Sequence, residues 1–68
     1  MKAVTGRRMA KLAETKGWIL ARINGSHHVS TMQGRMERVV IPIHGNKPLK
    51  IGLQCSLMKM IPIHEDEL

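Results

Sequence analysis

Hydrophobic positions recur at two different periods along this chain, and each change of period marks a boundary between elements. Between Thr5 and Gly17, Met9, Leu12 and Ala13 fall at i, i+3 and i+4, while Arg7, Arg8, Lys11 and Lys16 take the other faces. That spacing predicts an amphipathic helix capped by Thr5 and ended by Gly17. "WILARI" (18–23) reads as a strand by its branched and aromatic content, "NGS" (24–26) as a turn, and "HHVSTM" (27–32) as the start of a second strand. In "RVVIPIH" (38–44), Val39, Ile41 and Ile43 alternate with Arg38, Val40, Pro42 and His44, giving a third strand. Pro42 lacks an N–H, so this strand lies at an edge or turns Pro42 away from the ladder. After "GNKP", Leu53, Leu57, Met58 and Ile61 form a helical stripe that Pro62 ends. The order α-β-β-β-α predicts an α+β fold in which three antiparallel strands carry both helices on one face and leave the other open.

A chain of 68 residues holds one domain, here 1–68 with an acidic tail at 64–68, and its core is small enough to be marginal. The tail is expected to be solvated. Cys55 is the single cysteine, so neither an intrachain disulfide nor a cysteine-rich zinc site is available, which points to a reducing, cytoplasmic setting. Apolar runs are only a few residues long, and no membrane association is expected. Trp18 is read as a core anchor and Met9, Met58 and Met60 as core filling.

Charge changes this picture more than composition does. Up to residue 64, eleven Lys and Arg face only Glu14 and Glu37, and the tail brings the net charge to +6. Such a field favours polyanions. Because Trp18 is the sole Phe, Tyr or Trp, stacking platforms of the kind used by RRM or OB modules are lacking, and a nucleic acid would be gripped mainly through its backbone.

Candidate chemistry centres on "GSHHV" (25–29). Adjacent strand residues point to opposite faces, so His27 and His28 cannot both line one open surface, and one imidazole must serve packing. Two carboxylates outside the tail are too few for a two-metal nuclease. No metal or other cofactor is expected, a His27/His44 site being the one metal arrangement left to weigh. On spacing alone, both histidines read equally well as hydrogen-bonded residues beside a turn.

"TGRRMAKLAETKGW", "RINGSHHV", "VVIPIHGNKPLKIGL" and "LMKM" followed by "EDEL" resemble, in order and spacing, successive blocks of the HicA family, the RNA-cleaving toxins of HicA-HicB toxin-antitoxin pairs. The resemblance implies a double-stranded-RNA-binding-domain-like fold and an mRNA interferase whose essential histidine directly follows Gly-Ser. That histidine is His27, presented by Gly25 and Ser26; His28 falls at a freer position. The resemblance also implies mRNA as substrate and a HicB-like antitoxin that covers His27 and the basic surface. The chain departs from the family pattern at Ser30, where an aromatic residue is common, and at Arg8, where an acidic one is frequent.

The chemistry can be argued from the residues as well. RNA carries its own nucleophile, so an enzyme must remove the 2′-hydroxyl proton, manage the leaving 5′-oxygen and steady the charge on the phosphate. Imidazole titrates near ~6.5, and a positioned one contributes on the order of 10²–10⁴-fold in rate. Arg22 with Lys47 or Lys50 is expected near the scissile phosphate, and His44 is either a second proton carrier or a residue holding its loop. Two other classes of function compete: a non-catalytic double-stranded-RNA-binding module, and a protein-interaction domain that offers its basic face to an acidic partner.

Overall fold

The computed structural model describes residues 1–68 and runs in the order α1 (Gly6–Thr15), β1 (Ile19–Asn24), β2 (His27–Thr31), β3 (Arg38–Pro42) and α2 (Ile51–Met60), closed by a 3-10 turn at Glu65–Glu67. Thr5 caps α1 in an extended conformation, and its hydroxyl oxygen accepts from the Arg8 N–H at 3.1 Å, satisfying one of the helix's free donors. At the other end Gly17 takes φ +95°. The Gly17 N–H reaches the Glu14 carbonyl and the Trp18 N–H the Ala13 carbonyl, both at 3.1 Å. This is a Schellman stop. It delivers Trp18 into the core, where the ring is 2 % exposed.

The sheet has the order β1-β2-β3 and is antiparallel throughout. Pro42 therefore lies on an edge strand, as its missing donor requires. Val39 and Ile41 of β3 join Met9, Leu12 and Ala13 of α1 and Leu57 and Met58 of α2 in one cluster, so both helices cover the same face. β1 contributes nothing to that cluster, and all six of its residues are exposed. This α+β architecture is double-stranded-RNA-binding-domain-like. No helix is long and apolar enough to cross a membrane.

Three structural details lie outside the hydrophobic pattern. A Cβ on Gly6 would run into the Pro42 carbonyl oxygen, so the first turn of α1 packs backbone to backbone against the end of β3. Gln54 is fully buried on α2, where its Oε1 accepts from the Val4 N–H at 3.1 Å and its Nε2 donates to the Lys2 carbonyl at 2.7 Å. Thr5 and Pro48 form an isolated antiparallel bridge, and the Leu49 N–H donates to the Val4 carbonyl at 2.8 Å.

Two expectations need correction. Met60 is 38 % exposed rather than core filling, because it falls at the end of α2 beside the stripe of Leu57 and Ile61. The acidic tail is not freely solvated. Ile61 and Ile63 are buried and turn the chain back over α1, which sets the Glu67 carboxylate 2.6 Å from Lys16 Nζ and its carbonyl 3.4 Å from Arg8 Nη2.

Candidate active site

The hairpin between β1 and β2 is as short as a hairpin can be. Asn24 pairs with His27, leaving Gly25 and Ser26 as a two-residue loop in which Gly25 alone has positive φ, at +63°. Glycine at the first loop position suits a II′ turn. The Ser26 carbonyl accepts from the Ile43 N–H at 2.7 Å, so the loop is tied to the chain leaving β3. Gly25 and Ser26 thus fix where β2 begins, and β2 begins with His27.

Register assigns each side chain to a face, because residues directly opposite one another on neighbouring strands share a side. His28 is opposite Ile41 and Ile23; Ile41 belongs to the core, so His28 sits on the helix-covered face and is half-buried. His27 is opposite Asn24 and Pro42 on the other face and is exposed. The packing histidine is therefore His28 and the accessible one His27.

Arg22 reaches the same face through an irregularity. Leu20 pairs with Ser30, but Arg22 pairs with Val29, so Ala21 is an extra residue bulged out of β1. Unbulged pairing would set Arg22 opposite His28 on the covered face. With the bulge, Arg22 stands opposite Val29, diagonal to His27 and within reach of a long side chain. Arg38 pairs with Thr31 on this open face too. It is a cation that the sequence reading passed over, although its alternation with Val39 and Ile41 placed it there. No carboxylate lies on the open face of any strand.

Beyond β3 the chain forms a pocket. His44, Lys47 and Lys50 line it together with Pro42, Pro48 and Leu53, around a volume of about 480 Å³. Three of the residues expected at the site, His44, Lys47 and Lys50, thus line one pocket, which His27 and Arg22 do not, and its Pro42 wall is the residue opposite His27. His44 lies two residues past β3 and is exposed, as are Lys47 and Lys50. The Lys47 N–H donates to the His44 carbonyl at 3.0 Å, which fixes the turn joining them. No group of three His, Cys, Asp or Glu side chains is placed to hold a metal ion.

An accessible imidazole between an arginine-bearing edge strand and a lysine-lined pocket can move a proton beside a bound phosphodiester. No curated protein matches the chain. The model of the family described as the HicA toxin of bacterial toxin-antitoxin systems matches residues 6–67, nearly the whole length, and the chain belongs to the HicA toxin family.

Proposed function

We propose that this toxin is an endoribonuclease that cleaves mRNA without a metal ion, with His27 taking the proton from the ribose 2′-hydroxyl. The observation that carries this reading is the exposure of His27 on an acid-free sheet face, flanked by Arg22 on β1 and by the Pro42 wall of the lysine-lined pocket on β3. The 2′-oxygen attacks phosphorus as His27 accepts its proton, the bond to the 5′-oxygen breaks, and a 2′,3′-cyclic phosphate forms. The departing 5′-oxygen takes a proton from His44 or from water. Arg22, Lys47 and Lys50 offset the charge that builds on the non-bridging oxygens.

Family membership supports an antitoxin partner. In our reading that partner is a HicB-like protein that covers His27 and the basic surface, and binding only the folded toxin it stabilises the small core by mass action.

Cleavage of a labelled mRNA fragment in excess EDTA, by the native chain and by His27→Ala, tests the proposal. The reading requires products from the native chain and none from the variant, with RNA binding kept. The fold alone would also suit a non-catalytic RNA-binding module, for which both chains bind RNA and neither yields products.

A further inference from the structure

The pocket beyond β3 has more apolar wall than a phosphate needs. Pro42, Pro48 and Leu53 provide flat aliphatic surface, while His44, Lys47 and Lys50 supply the polar groups. Its volume of about 480 Å³ falls within the roughly 300–1,000 Å³ of small-ligand sites, which are mostly apolar with a few placed polar groups. No acidic residue lines it, so the charge selects an anion. The ligand that satisfies both kinds of wall is an anion bearing a flat, weakly polar ring.

We propose that this pocket is a nucleotide subsite, resting on the ribonuclease reading above: it receives the base of the nucleotide whose 2′-hydroxyl attacks, with Lys47 and Lys50 beside that nucleotide's 3′-phosphate, the scissile group. Three observations support it. First, Trp18, the chain's one Phe, Tyr or Trp side chain, is buried, so a base in the pocket stacks on the two proline rings and on the His44 imidazole that line it. Second, the walls are held before any ligand arrives, by the Thr5–Pro48 bridge and by the Leu49 N–H and Lys47 N–H hydrogen bonds, which spares the ordering cost of binding. Third, Pro42 is at once a wall of the pocket and the residue opposite His27. Neighbouring strands are about 4.8 Å apart, so an RNA strand whose phosphate lies over His27 has its adjoining base at the pocket mouth. The subsite is where base preference at the cleavage point is set.

Titration of the isotope-labelled native chain with nucleoside 3′-monophosphates, inorganic phosphate and an uncharged nucleoside tests this by NMR. The expected result is saturable shifts centred on Pro42, Lys47, Pro48 and Leu53, at least tenfold tighter for one or more nucleotides than for inorganic phosphate, and at least fivefold weaker in Lys47→Ala. Equal affinity for phosphate and nucleotide, or shifts spread over all basic residues without saturation, would overturn the proposal. So would tighter binding of a short poly-glutamate peptide, which would make the pocket a protein-docking site. Because nothing is cleaved in the titration, it can fail with ribonuclease activity intact and succeed with that activity absent.

Discussion

His27 and Pro42 stand directly opposite each other on β2 and β3, and the carbonyl of that same proline is the point against which Gly6 of α1 packs. Pro42 thus connects the exposed imidazole, the wall of the pocket and the start of the first helix. The position of the candidate site relative to the core depends on that contact.

Replacing Gly6 tests the connection. A methyl group there meets the Pro42 carbonyl, so α1 must move off β3. Overpacking of this kind costs about 1–3 kcal/mol. Gly6→Ala is expected to lower the unfolding free energy by that amount, read as a lower urea midpoint at unchanged slope, and to shift the amide resonances of Ile41 and Ile43; an unchanged midpoint would mean that the backbone contact is loose.

Arg22 and Arg38 are predicted to hold RNA phosphates on the open face. For single strands the logarithm of affinity falls against log salt with a slope of about −0.7 per phosphate contact. Arg22→Ala should therefore weaken binding and make the slope shallower by about 0.7, and Arg38→Ala should do the same. Loss of affinity without a change of slope would show that the arginines act on the protein rather than on the RNA.

The sequence carried much of this architecture but not the means by which the site is assembled. The stripe of Met9, Leu12 and Ala13 and the alternation of Val39 and Ile41 report burial, and burial follows period. Strand parity established that His27 and His28 part company, but deciding which of them faces solvent needed the pairing with Ile41 and Pro42. The bulge at Ala21 left no mark, because "ILARIN" contains no glycine or proline to announce an extra residue, and only the register shows that Arg22 changes face. Gly6 and Gln54 were silent for a related reason. Each is defined by a partner 36 to 52 positions away, Pro42 for Gly6 and Val4 with Lys2 for Gln54, which no local pattern encodes.

Gln54 offers a direct measure of one such long-range contact. Its amide serves both the Val4 N–H and the Lys2 carbonyl, and an apolar replacement leaves these groups without their partner. Gln54→Leu should destabilise the fold by about 1–3 kcal/mol, read from chemical denaturation, with early loss of hydrogen-exchange protection at Val4. Full protection at Val4 in the variant would contradict the assigned hydrogen bond.

Acid should release the tail. The Glu67 carboxyl titrates below its usual range, chiefly because it accepts the His64 N–H at 2.8 Å and secondarily because Lys16 bonds it. A depressed folded pKa means that the contribution is fully present above the ordinary carboxylate value and is lost as pH falls through the lower folded value. The resonances of Lys16 and Leu68 should therefore move together below the usual glutamate range, and Glu67→Gln should abolish that coupled transition. A tail that shifts with the same midpoint in both proteins would show that Glu67 does not fasten it.

The most direct test concerns the imidazole at position 27. His27 is exposed, so His27→Ala should keep the native circular dichroism and thermal midpoint. Cleavage of an RNA oligonucleotide in EDTA should fall by about 10²-fold or more while affinity for an uncleavable analogue, 2′-deoxy at the scissile residue, is unchanged. A folded His27→Ala chain that cuts RNA at the native rate would contradict the account.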